Sequence, residues 1–150
     1  MRCRAKKETI MDVIGLHVIA DLSYCENIHA VDNEDALASL LLKCAVAANA
    51  TVLSVKTHKF EPEGISGILF LAESHISVHV WPEAQYVSFD CYTCGNKTSP
   101  WAALEAFNKT VRPRYQDVTE VKRGLPNSRV DDSYKQEVTE SGFHATSLEE

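Results

Sequence analysis

Residues 73–83, Glu-Ser-His-Ile-Ser-Val-His-Val-Trp-Pro-Glu, concentrate the side chains with chemistry in this chain. Ser74 follows a carboxylate and opens a segment whose alternation puts His75, Ser77 and His79 on one strand face. Glu83 closes the segment, so a hydroxyl, two imidazoles and a carboxylate fall in an otherwise apolar stretch. Polar groups in such a place need partners or a task. Two tasks suggest themselves. His75 and His79 with Cys91 and Cys94 spell His-x3-His…Cys-x2-Cys, a zinc-like set. Yet histidines four apart on a strand stand about 13 Å apart, and Ile76, Val78 and Val80 argue for a strand. A serine hydrolase is a weak second reading, because no Gly-x-Ser-x-Gly elbow surrounds Ser74. Adjacent Ser74 and His75 should also point to opposite faces. The plain alternative is a strand corner with satisfied polar groups, and a buried core thiol for Cys91.

The elements that must position these residues are legible in outline. Ile14–Leu22 reads as a first strand, and Asn33 caps a helix running to about Ala48. Acidic residues occupy the first turn of that helix, and Leu37, Leu40, Leu41 and Cys44 recur at helical spacing. Strands are expected over 51–60, 65–72, 75–81 and 86–92, joined by turns at Glu61–Gly64 and Pro82–Gln85. Pro100 opens a second helix to about Val111, and Tyr115–Arg123 alternates as a last strand. Short turns between successive strands imply antiparallel pairing. The expected fold is therefore α+β: a two-layer sandwich with the antiparallel sheet covered by helices on one face. Ile65, Leu69, Val78 and Phe89 exceed what one helical layer needs, which predicts an apolar second face buried against another copy in a symmetric dimer.

Bulk properties narrow the class. The 150 residues are 45% hydrophobic and 24% charged, enough for one domain with a core. Residues 1–11 are expected to be a short lead, and residues 124–150 an acidic tail with little apolar content. A net charge of −6 disfavours nucleic acid as a partner. No apolar run approaches a membrane span, and no signal peptide is expected. Five scattered cysteines read as reduced thiols and a cytoplasmic location.

Several motifs together resemble one family. His58-Lys-Phe60, Gly64-Ile-Ser66-Gly, Glu73-Ser-His-Ile-Ser-Val-His79-Val-Trp-Pro-Glu83 and Asp90-Cys-Tyr-Thr-Cys94-Gly95 follow the order and spacing of the short prokaryotic type of S-adenosylmethionine decarboxylase. The resemblance runs from about residue 14 to 125, taking in Gly15-Leu-His17 and Val118-Thr-Glu-Val-Lys-Arg-Gly124. It implies a proenzyme that cuts itself between Glu73 and Ser74 into a β chain of 1–73 and an α chain of 74–150. In that scheme the Ser74 hydroxyl attacks the preceding carbonyl, Ser66 assists near it, and His79 removes the Ser74 α-proton. The product is a pyruvoyl cofactor that forms a Schiff base with the substrate amine and accepts electrons as CO2 leaves. Cys94 corresponds to the family's catalytic proton donor, a role for an acid titrating not far from neutrality. Phe60 corresponds to the aromatic that stacks on adenine, Trp81 is a second substrate-binding candidate with a packing anchor as the plain alternative, and Glu83 suits ribose hydroxyls. The resemblance further implies a homodimer, an α-β-β-α sandwich whose sites borrow residues from both protomers. No metal is needed in this scheme.

Departures from the family pattern flank the substrate region: Leu16, Val80, Ala84-Gln85 and Cys91-Tyr92. Two other functions therefore stay in view. Arginine or ornithine can be decarboxylated on the same fold, which requires a carboxylate facing the distal cation. An unprocessed, non-catalytic partner subunit is the other. Phe60 with Trp81 favours S-adenosylmethionine over the first, and the intact Ser66, Ser74, His79 and Cys94 set argues against the second.

Overall fold

A computed structural model describes residues 14–124. The lead expected before residue 12 and nearly all of the expected acidic tail lie outside that range. Six strands and two helices follow in the order β1 (Gly15–Cys25), α1 (Glu34–Ala47), β2 (Val52–Lys59), β3 (Ile65–Leu71), β4 (Ser74–Trp81), β5 (Tyr86–Cys94), α2 (Pro100–Val111) and β6 (Pro113–Arg123). Short 3-10 turns at Ile28–Val31 and Pro82–Ala84 complete them. The strands make one sheet in the order β2-β3-β4-β5-β1-β6, and every pairing is antiparallel. Consecutive hairpins build β2 to β5, and β1 then inserts between β5 and β6.

Each helix begins where a side chain satisfies its free N–H groups. Asn33 Oδ1 accepts from the Ala36 N–H at 2.8 Å, with Glu34 and Asp35 in the first turn. Ser99 Oγ accepts from the Ala102 N–H at 3.2 Å, and Pro100 sits in the first turn of α2. Leu37, Leu40, Leu41, Cys44 and Ala45 form the buried stripe of α1; Ala103, Leu104, Phe107 and Val111 form that of α2. Both helices cover the same sheet face, α1 over β2 and β3 and α2 over β5 and β1. A side chain at Gly67 would put its Cβ 2.8 Å from Leu41 and 3.0 Å from Leu37, so glycine here lets α1 lie close on β3.

The core lies wholly between helices and sheet, and this corrects one expectation. Ile65, Leu69, Val78 and Phe89 are all within 1% of full burial beneath the helices. They share the alternation of Ile76, Val80 and Val87 and do not face outward. The open face carries the other alternation: Ser66, Ile68 and Phe70 on β3, His75, Ser77 and His79 on β4, and Ser88, Asp90 and Tyr92 on β5. It is mixed in character, not apolar. Among the described residues no helix is long and apolar enough to cross a membrane.

The Phe89 and Phe107 rings meet at 5.4 Å between centroids and link sheet to α2 at the centre of the core. Phe89→Ala should cost about 3–5 kcal/mol of unfolding free energy in denaturant titration. A loss below about 1 kcal/mol would contradict this placement of the core.

Candidate active site

β3 and β4 are joined by Ala72 and Glu73 alone, since Leu71 pairs with Ser74. Two-residue hairpin turns match sheet twist best when a central residue has positive φ. Neither Ala72 nor Glu73 has one; Ser74 does, at 147°. A non-glycine residue held there costs on the order of 1–3 kcal/mol. Anchors fix the turn around it. The Ala72 N–H donates to the Thr51 carbonyl at 2.9 Å, and the Thr51 N–H donates to the Glu73 carboxylate at 3.0 Å. That second bond holds the Glu73 carboxyl below its usual pKa.

The Glu73 carbonyl, the one that Ser74 follows, accepts two hydrogen bonds from one residue. The Cys94 N–H donates at 3.0 Å and the Cys94 thiol at 2.8 Å. Two donors on one carbonyl stabilise negative charge developing on that oxygen. Cys94 can reach it because β5 runs two residues past its expected end, paired with Gly15 of β1. A side chain at Gly15 would clash with Tyr92 at 2.6 Å and with the Thr93 carbonyl at 2.8 Å.

Ser74 and His75 do not diverge as simple alternation predicts. The Ser74 Oγ lies 3.1 Å from His75 Nδ1, because the positive φ at Ser74 breaks the strand pattern there. His75 sits in a group that sequence reasoning left apart. His17 and Tyr92 lie 6.3 and 6.2 Å from it between ring centroids. His17 Nε2 is 3.3 Å from Asp90 Oδ1, and the Arg123 guanidinium stacks 4.8 Å over Tyr92. Burial lowers the His75 pKa below the ordinary 6.5, and the His17 charge lowers it further; Asp90 opposes, and Arg123 adds to the fall.

Ser66 and His79 form a second centre. They are register partners across β3 and β4, and Ser66 Oγ is 2.6 Å from His79 Nδ1. Five residues of strand separate His79 from Ser74, about 16 Å. The chain therefore brings Ser74, His75 and Cys94 together at one end of β4 and Ser66 with His79 at the other. A cavity of about 240 Å³ opens beside the second pair, lined by Phe60, Glu63, Ser66, His79 and Trp81. The Trp81 ring lies 5.3 Å from that of Tyr86, and Phe60 lies 4.6 Å from His58. Glu83 is exposed on the Pro82–Ala84 turn and does not line this cavity. Glu63, read from sequence only as part of a turn, does.

The zinc-like set is not assembled. Cys91 is fully buried on the helix side, where desolvation pushes its thiol up to about 12. Cys94 is exposed on the opposite face. No group of three or more His, Cys, Asp or Glu suited to a metal ion occurs among the described residues.

Comparison with known proteins bears on this geometry. The family model for S-adenosylmethionine decarboxylase matches residues 16–124. The chain belongs to the S-adenosylmethionine decarboxylase family. A relative named S-adenosylmethionine decarboxylase proenzyme, from Methanococcus maripaludis, is 40% identical over 115 residues, covering 77% of this chain and 93% of its own. One of the same name from Caldicellulosiruptor saccharolyticus is 36% identical, covering 77% and 92%. The crystal structure of the adenosylmethionine decarboxylase from Aquifex aeolicus superimposes with a TM-score of 0.71 at 32% identity, covering 76% of this chain and 93% of that one. Membership makes the chain an enzyme of the decarboxylase class and agrees with the α+β sheet-and-helix architecture described above.

The lowered pKa of His75 has a direct readout. Its folded value lies below its unfolded one, so between them the unfolded chain binds the extra proton. This group's contribution to stability is thus present near neutrality and declines as pH falls through 6.5. An NMR titration should give His75 a midpoint below 6.5 that rises when His17 is replaced by Gln. A midpoint at or above 6.5 would contradict the described environment.

Proposed function

We propose that the chain is a proenzyme that cuts itself between Glu73 and Ser74 into chains 1–73 and 74–150. Ser74 becomes a pyruvoyl group, and the processed enzyme decarboxylates S-adenosylmethionine for polyamine synthesis. The observation that carries this reading is the Glu73–Ser74 junction. A strained serine directs its hydroxyl to an imidazole while two donors from Cys94 engage the carbonyl it must attack. These residues fit the making of such a group: a carbonyl poised to become an oxyanion, and a nucleophile adjacent to it. Once formed, the pyruvoyl group supplies an electrophilic carbonyl that takes up the electrons left when CO2 departs.

The other residues divide the remaining work. Cys94 stabilises the scissile carbonyl before cutting and returns a proton to the substrate α-carbon during turnover. His79 accepts the Ser74 α-proton during processing, with Ser66 as its helper. In a single chain the Ser66–His79 pair stands about 16 Å from Ser74. That separation, and the open sheet face on which both centres lie, support a homodimer. Two sheets packed face to face would give an α-β-β-α sandwich in which each site combines Ser74 and Cys94 of one protomer with Ser66 and His79 of the other. Phe60 and Trp81 offer aromatic faces to adenine. Glu83 is assigned to the ribose hydroxyls, and Glu63 is the carboxylate that lines the cavity with the aromatic pair. Four free cysteines among the described residues support a cytoplasmic location.

Ser74→Ala should remain one uncut chain and release no CO2 from carboxyl-labelled substrate. The unaltered protein should turn over S-adenosylmethionine in preference to arginine or ornithine. CO2 release by Ser74→Ala would contradict the pyruvoyl mechanism. Turnover of arginine or ornithine alone would move the substrate to the diamine precursors.

A further inference from the structure

We propose that His75 is the base of the first step of self-processing, taking the Ser74 hydroxyl proton as that oxygen attacks the Glu73 carbonyl. The inference rests on the self-processing reading above and adds a residue to it. Three observations carry it. The Ser74 Oγ is 3.1 Å from His75 Nδ1, within reach for direct proton transfer. His79 of the same chain is engaged with Ser66 at 2.6 Å, about 16 Å away along the strand. The carbonyl to be attacked already accepts from the Cys94 N–H and thiol, which leaves the attacking hydroxyl as the one participant still needing an acceptor.

For the hydroxyl to donate, Nδ1 must be bare and the imidazole neutral, with its proton on Nε2. The surroundings of His75 favour that form. His17 faces it from β1, Asp90 and Tyr92 from β5, and Phe70 stands opposite it on β3, with Arg123 of β6 above Tyr92. Burial and the His17 charge outweigh Asp90, so the imidazole stays neutral below the pH at which an ordinary histidine protonates.

The step balances without any co-reactant. A C–O bond forms between Ser74 Oγ and the Glu73 carbonyl carbon, and the hydroxyl proton passes to His75 Nδ1. The C–N bond between Glu73 and Ser74 then breaks, and His75 returns the proton to the departing nitrogen, which becomes the amine of Ser74. The product is an ester at the same atoms, and nothing is oxidised or reduced. His75 is neutral again when the ester is complete, and the later α-proton abstraction is the step assigned above to His79.

The test isolates ester formation from everything after it. In the full chain carrying His79→Ala, the ester should accumulate, and hydroxylamine should cut it between Glu73 and Ser74, as read by mass. Adding His75→Gln, which keeps the size but has no basic nitrogen, should slow the appearance of hydroxylamine-sensitive chain about 10²-fold. His75→Ala in the same background should be slowed likewise and restored by added imidazole, the restoration following the unprotonated fraction of imidazole. A purely packing role would not give that pH-dependent rescue. An unchanged rate in His75→Gln, or a folded His75→Ala chain that imidazole fails to restore, would overturn the assignment to His75 while leaving self-processing intact. If the His79→Ala chain itself yields no hydroxylamine-sensitive bond, and the parent protein never cuts, the self-processing reading falls and this inference with it.

Discussion

A two-residue turn between strands that remain paired up to its edges constrains everything at the candidate active site. Leu71 and Ser74 are partners, so Ala72 and Glu73 must reverse the chain alone, and the twist that they do not absorb falls on Ser74 as a φ of 147°. The strain is held in place from two sides. Thr51 fixes the turn through Ala72 and the Glu73 carboxylate, and Cys94 fixes the Glu73 carbonyl. Cys94 in turn depends on β5 continuing to its register partner Gly15, where a side chain would collide with Tyr92. The Glu73–Ser74 bond is thus positioned by sheet pairing, not by a flexible loop, and a regular ladder supplies the rigidity that the proposed self-cleavage needs.

The two faces of the sheet have separate tasks. The helix face holds Phe89, Phe107 and the aliphatic stripes of α1 and α2 and accounts for the cohesion of the fold. The open face carries His17, His75, His79, Ser66 and Asp90, groups that would be costly in the core. Keeping them outside the core leaves them partly exposed in the single chain, His79 most of all, and able to gain strength when water is excluded. Covering that face with a second sheet, as proposed here, would both exclude water and bring the Ser66–His79 pair toward another chain's Ser74.

Much of this was readable from the residues, because caps, turns and alternation are local. Asn33, Pro100 and the Glu61–Gly64 turn bound the right elements, but the Ser66–His79 pairing needed the observed Leu71–Ser74 register, because the expected strand ends at 72 and 75 would set Ser66 opposite Trp81. Parity is not local. Ile65, Leu69, Val78 and Phe89 read from sequence as more than one helical layer needs, yet all four lie beneath the helices, because alternation alone does not say which face the helices cover. Gly67, whose missing side chain admits Leu37 and Leu41, holds that information only after α1 is docked. The Ser74–His75 contact was also out of reach. Alternation assigns the two to opposite faces, and a single positive φ reverses the result. The surrounding His17, Asp90, Tyr92 and Arg123 come from three strands, and only the insertion of β1 between β5 and β6 brings them together. Motif spacing picked out the candidate residues, whereas the neighbours of each group required the sheet order.

The most direct test of the central claim is the intact mass of the purified protein under denaturing conditions. Two chains corresponding to 1–73 and 74–150, the second beginning with pyruvoyl in place of serine, are the predicted result. A single chain of 150 residues with an unmodified Ser74, persisting after prolonged incubation, would contradict the account.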